Sequence, residues 1–235
     1  MGSKKLNIAV IISSSLESGG GYQYEYMVLN ILKKYHKDKG ISLKFYAPSY
    51  KVSKDYTDLY IDINVIKENI FRKIHSLCLQ NIFLYTFLKK IGFGLSFFEK
   101  KLLADSIDLV YFLSPNLKSH ALSNTPYIFT LWDLGHLDLM EFPEVSYDRR
   151  FEFREFNYSK SLKKAIKVIV DSDYGRDYAI KSYNLDIKRV KVLKFLPNIR
   201  TIESKHSVDI KKKYNLKNDY IFYPAQFWAH KNHIY

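Results

Sequence analysis

Apolar positions in this chain gather into short, almost unbroken runs, and longer stretches with a helical period lie between them. The first run, Leu6-Asn-Ile-Ala-Val-Ile-Ile-Ser13, has the pattern of a parallel strand buried on both faces. Gly19-Gly20-Gly21 follows it, and Met27, Leu29, Ile31 and Leu32 suit a helix over residues 22–35 that covers that strand. Further strands are expected at 41–47, 107–113, 127–132, 165–170 and 190–195, each halted by polar residues or proline. Helical patterns at 149–164 and 174–183 separate the later strands, and this alternation predicts an α/β fold with a doubly wound parallel, Rossmann-like sheet. Residues 198–207 read as a linker, and Tyr220-Ile-Phe-Tyr-Pro-Ala-Gln-Phe-Trp228 as one more strand and its loop. A lone strand cannot satisfy its own backbone, so 1–198 is expected to be one complete domain and 199–235 a linker and the truncated start of a second.

Charge and cysteine content narrow the class. The 235 residues carry a formal net charge of +13, which favours phosphate-bearing partners such as nucleotides or anionic lipid, or simply a solvated basic surface. No Lys/Arg block resembles a nucleic-acid tail, so no nucleic-acid partner is expected. Cys78 is the only cysteine, which leaves no disulfide framework and no Cys-based metal site and fits a reducing, cytoplasmic compartment. The segment 74–88 has no formally charged side chain save His75, yet falls short of the roughly 20 apolar residues of a spanning helix. With Phe71, Phe83, Phe87 and Phe93 around it and Lys89, Lys90, Lys100 and Lys101 behind it, it reads in two ways. One is a helical pair packed on the sheet, the other an interfacial pair on the inner face of an anionic membrane.

Three clusters carry candidate chemistry. Gly19, Gly20 and Gly21 sit between strand and helix, where backbone amides can approach an anion or where a tight turn simply needs glycine. Tyr24 stands where the third glycine of a dinucleotide fingerprint belongs, which disfavours an oxidoreductase. Asp133 and His136 follow an expected strand at the sheet edge that binds ligands in such folds, and a carboxylate beside an imidazole can orient a hydroxyl; a turn cap and a surface histidine are the plainer alternative. Asp171 and Ser172 end the next strand, as cleft residues or as helix caps.

Taken in order, Thr130-Leu-Trp-Asp-Leu-Gly-His136, Phe142-Pro-Glu144, Val168-Ile-Val-Asp-Ser172 and Tyr223-Pro-Ala-Gln-Phe-Trp-Ala-His-Lys-Asn-His233 resemble the family 4 glycosyltransferases of the two-domain GT-B fold. The resemblance implies a retaining transfer of sugar from a nucleotide-sugar donor to a glycan or lipid-linked acceptor, without metal or other cofactor. By the same resemblance Gly19 to Gly21 lie under the donor diphosphate, Lys231 pairs with its phosphates, Asp133 is catalytic, and Trp132, His136, Asp171 and Ser172 line the acceptor cleft. Trp132 replaces a histidine common in the family and Gln226 an arginine, while the Glu-x7-Glu motif falls beyond Tyr235. The chain is therefore expected to hold the N-terminal, acceptor-side half and to be inactive alone. The alternative is a non-catalytic acceptor-binding half that pairs with a separate donor-domain protein.

Overall fold

The computed structural model describes residues 5–35, 40–195 and 209–234. Its strands are β1 (Leu6–Ile11), β2 (Ile41–Ala47), β3 (Ile63–Val65), β4 (Leu109–Phe112), β5 (Tyr127–Thr130), β6 (Lys167–Val170) and β7 (Val190–Val192). They form one seven-stranded sheet in the order β3-β2-β1-β4-β5-β6-β7, every pair parallel. The fold is thus an α/β, Rossmann-like one, as the sequence pattern predicts. The expected linker, 198–207, lies outside the described residues.

The helices are α1 (Gly20–Tyr35), α2 (Tyr50–Lys54), α3 (Ile70–Cys78), α4 (Ile82–Lys90), α5 (Phe97–Ala104), α6 (Pro143–Ser146), α7 (Arg150–Lys164) and α8 (Asp173–Tyr183). Alternation along β1 explains the two layers. Val10 and Ile12 join Met27 and Leu29 of α1 on one face. Ala9 and Ile11 join Phe98 and Leu102 of α5, Leu162 of α7 and Ala179 of α8 on the other. With both faces covered, the central strands read as continuous apolar runs rather than alternating ones.

Chain direction reverses beside β1: the chain first builds outward through β2 and β3, then returns to place β4 on the other side of β1. The carboxyl side of such a switch point is the usual ligand position in open parallel sheets. Two buried carboxylates hold loops on the sheet, one at its carboxyl edge and one at the amino end of β5. Glu25 of α1 accepts the backbone N–H groups of Ser13 (3.1 Å) and Ser14 (2.9 Å) and the hydroxyl of Tyr56 (2.9 Å). Glu99 of α5 accepts the N–H groups of Ser123, Asn124 and Thr125 at 2.7–2.9 Å, pinning the approach to β5.

Three parts depart from the sequence reading. The strand β3 escaped it because only three residues pair, and they are partly exposed at the sheet edge. Residues 220–228 form no strand: no other described strand lies beside them to complete a ladder, and Ile221 and Phe222 are exposed. The segment 74–88 does form a helical pair, α3 and α4, but neither helix buries a residue against the sheet.

Burial pushes the Glu25 carboxyl above its ordinary value, with the Ser14, Tyr56 and Ser13 donors partly offsetting it. An acid raised in the folded state binds its proton more tightly there, so Glu25's contribution to stability falls as pH rises from the unfolded value of 4.5 through the raised one. Urea midpoints of wild type and Glu25→Gln are expected to diverge as pH rises above 4.5, the wild type losing relative stability. A constant difference across that range would refute this. Glu99→Ala leaves three loop amides without their acceptor and is expected to lower unfolding free energy by about 3 kcal/mol or more, measured by urea denaturation.

Candidate functional site

At the carboxyl edge the connection from β1 to α1 carries a short helical turn, Leu16–Ser18, that ends at Gly19. Gly19 has φ +59°, in the left-handed region that glycine tolerates, while Gly20 and Gly21 already form the first turn of α1. A Cβ on Gly19 or Gly20 would meet open space, but one on Gly21 would stand 2.4 Å from Cη2 of Trp132. Gly21 is therefore a seat for the indole, and only Gly19 and Gly20 leave backbone open to a ligand. The Trp132 Nε1 donor is buried and has no hydrogen-bond partner, an uncommon state for a buried N–H.

Trp132 and Asp133 follow β5 after Leu131, and Asp133 Oδ1 accepts from the Gly135 N–H (3.0 Å) and from Arg154 of α7 (3.1 Å). Asp133 and Gly135 form part of one wall of a cleft of about 830 Å³. Arg149, Arg150 and Arg154 line the same cleft, and Trp228, His230 and Lys231 stand in its other wall. Asp133 and Lys231, the expected catalytic and donor-phosphate residues, thus share one cavity. Asp148 and Arg149 both adopt φ +56° at the entry to α7, strained backbone of a kind that persists where surrounding structure enforces it. The sequence reading missed the arginines; their signal was three cations within and beside the first turns of a helix, where the macrodipole disfavours positive charge.

A short turn, Ala229–Lys231, carries the second wall. It is tied down through Glu144 at the start of α6, whose Oε1 accepts the His230 backbone N–H at 2.9 Å and also meets His230 Nδ1. The His230 N–H is the chief reason that the Glu144 carboxyl is pushed down to about 2.

A smaller cleft, of about 240 Å³, adjoins the first and is lined by Trp132, Asp133, Asp171, Ser172, Tyr174 and Tyr178. Ser172 caps α8 by accepting the Gly175 N–H at 3.1 Å and donates to Asp171 Oδ1 at 2.9 Å. Cap and cleft residue are here the same side chain. His136, expected beside Asp133 in the acceptor cleft, is instead fully buried, with Nε2 hydrogen-bonded to Glu155 Oε1 at 2.8 Å. A short helical turn at Gly135–Leu137 draws the ring inward, against Phe151 and Tyr158 of α7. Its Nδ1 has no hydrogen-bond partner. Among the described residues, no three His, Cys, Asp or Glu side chains gather closely enough to hold a metal ion.

No family model matches the chain, and no curated protein matches it by sequence. Solved structures do share its fold. A glycosyltransferase from Rickettsia africae superposes with TM-score 0.51 at 14% identity, over 92% of this chain and 51% of that one. S. aureus MnaA in complex with UDP gives TM-score 0.55 at 13% identity, over 89% and 50%. A UDP-N-acetylglucosamine 2-epimerase from Rickettsia bellii gives 0.50 at 11%, over 90% and 52%. The chain spans about half the length of the solved structures it matches.

Because Gly21 seats the indole, Gly21→Ala is expected to displace Trp132 and shift its fluorescence; an unchanged spectrum in a Trp228→Phe background would contradict the contact. Glu144 has a folded value below its ordinary 4.5, so its hold on the 229–231 turn is complete above 4.5 and is lost as pH falls toward 2. In a Trp132→Phe background, Trp228 emission is expected to change through that acid range, and Glu144→Gln is expected to abolish the transition.

Proposed function

We propose that this chain is the acceptor-side half of a retaining, nucleotide-sugar-dependent glycosyltransferase acting on a glycan or lipid-linked acceptor at the cytoplasmic side of a membrane. The observation that carries the reading is the cleft itself: Asp133, which follows β5, and the cations Arg149, Arg150, Arg154 and Lys231 share a volume of about 830 Å³ with Glu144, Asp148 and Glu152. Solved structures of the same fold include a glycosyltransferase and a protein with UDP bound, which supports the nucleotide-sugar class.

Transfer breaks the bond between the anomeric carbon and the donor diphosphate and forms one from that carbon to the acceptor oxygen, which gives up its proton. Negative charge grows on the departing diphosphate. Lys231 and the arginines supply fixed positive charge for it, which is how we account for a reaction run without a metal cofactor. Asp133, held through Oδ1 by Gly135 and Arg154, orients the acceptor hydroxyl. Trp132, Asp171 and Ser172 shape the adjoining acceptor pocket. Gly19 and Gly20 offer open backbone to the diphosphate, which Gly21 does not.

Half of the length of the matched structures has no counterpart here. The same observation favours a second reading, a non-catalytic acceptor-binding protein that works with a separate donor-domain partner. Both readings place the diphosphate in the large cleft. Isothermal titration with UDP is therefore the test: Lys231→Ala is expected to weaken binding by about tenfold. Unchanged affinity would remove Lys231 from the phosphate site. The two readings part when the isolated chain is mixed with donor and acceptor and a recombinant donor domain: sugar transfer that Asp133→Asn abolishes supports the enzyme, and none supports the binding protein.

A further inference from the structure

We propose that the α3–α4 pair is a docking surface for an anionic phospholipid bilayer. Both helices are capped, α3 by Asn69 and α4 by Asn81, so they are well-formed elements rather than a collapsed loop. Their apolar side chains nevertheless point away from the protein. Phe71 is 78% exposed and Phe83 82%, and Leu77, Ile82, Phe87 and Phe93 are exposed with them. A contiguous apolar face of this kind is rare on soluble monomers unless something covers it.

Charge selects what covers it. Between Glu68 and Glu99 the sequence contains no Asp or Glu, and Glu99 itself is fully buried beneath loop amides. Arg72, Lys73, Lys89 and Lys90 fall in the same stretch, and Lys100 stands over the Phe93 ring. Aromatic and aliphatic side chains ringed by cations with no exposed carboxylate in the segment match a surface that is apolar below and negative above, which is the interface of an anionic membrane. No helix among the described residues is long and apolar enough to cross a membrane, so the pair lies in the interface plane.

The pair is anchored firmly enough to transmit that docking. Leu79, at the corner between the helices, is buried, and His75 Nε2 meets the Phe93 carbonyl at 2.9 Å. The corner between the helices lies against the rest of the fold, beside Ser123, Tyr127 at the start of β5 and Lys160 of α7, and Gln80 Oε1 meets His120 Nδ1 at 3.4 Å. The docking itself needs no sugar donor and stands or falls apart from the transfer reading.

The test is sedimentation of the full chain with phosphatidylglycerol–phosphatidylcholine vesicles at low and high salt. Binding that rises with phosphatidylglycerol and falls with salt is expected, as is a roughly tenfold or greater loss in Phe83→Ser/Phe87→Ser and in Lys89→Gln/Lys90→Gln. The second pair covers the case in which the first fails to fold. A Phe83→Trp reporter is expected to shift to the blue on vesicles. No partition at low salt, or partition unaffected by both double variants, overturns the proposal. So does a dimer in sedimentation equilibrium that Phe83→Ser/Phe87→Ser dissolves, which would assign the face to a second copy of the chain.

Discussion

A single buried carboxylate, Glu25, fixes the geometry on which the cleft edge depends. It stands on the first helix but bonds back to the end of the first strand, through the N–H groups of Ser13 and Ser14. Tyr56 bridges the same point, donating to Glu25 and touching the Ser14 carbonyl at 2.9 Å. Strand, helix and the β2–β3 connection therefore meet at one hydrogen-bonded node. Asn116, just after β4, donates to Ser13 Oγ at 2.8 Å and adds the fourth element. A hydrocarbon at position 25 would leave these amides bare at the carboxyl end of β1, where an unpaired buried donor is costly. Glu99 repeats the device at the other edge of the sheet, on the approach to the amino end of β5. Both carboxylates hold in place loops, ordinarily the softest parts of a fold.

The same economy shapes the cleft. Asp133 is oriented by a backbone amide and an arginine, Ser172 caps a helix while lining a pocket, and Gly21 gives up its Cβ so that Trp132 can close over the turn. Structural and ligand-facing tasks fall on the same residues because the carboxyl edge is where strands stop and helices start. Helix caps, tight turns and orphaned backbone groups concentrate there for reasons of chain geometry, and a ligand arriving at that edge meets polar groups already held in place.

Strand and helix periodicity made the sheet legible, because strands buried on both faces read as plain apolar runs and α7 and α8 each bury one clear stripe. The elements that escaped were decided by neighbours rather than by local pattern. Residues 63–65 form a strand only because β2 offers an open edge, and residues 220–228 look like a strand yet have no described neighbour to pair with. In the site, Asp133 and Lys231 were legible as residue types at a strand end and in a basic loop. His136 was not: nothing local says that a turn will draw its ring under α7 to meet Glu155. Glu25 was equally silent, since a glutamate on an amphipathic helix normally faces water. Its burial follows from the path of the Ser13–Ser14 backbone, which only the assembled fold reveals.

Strand order carries a consequence for how the molecule is made. An interior strand of the sheet, β1, is synthesised first, and it can pair with β2 almost at once, Leu6 opposite Ile41. Its other edge waits for Leu109 to reach Ile8. Until then a row of unpaired amides on an apolar strand faces solvent while the basic, aromatic α3–α4 segment emerges beside it. Pairings of such long sequence separation form slowly, and exposed strand edges are what nascent chains aggregate through. The fold is thus most vulnerable during translation, in the interval before β4 arrives.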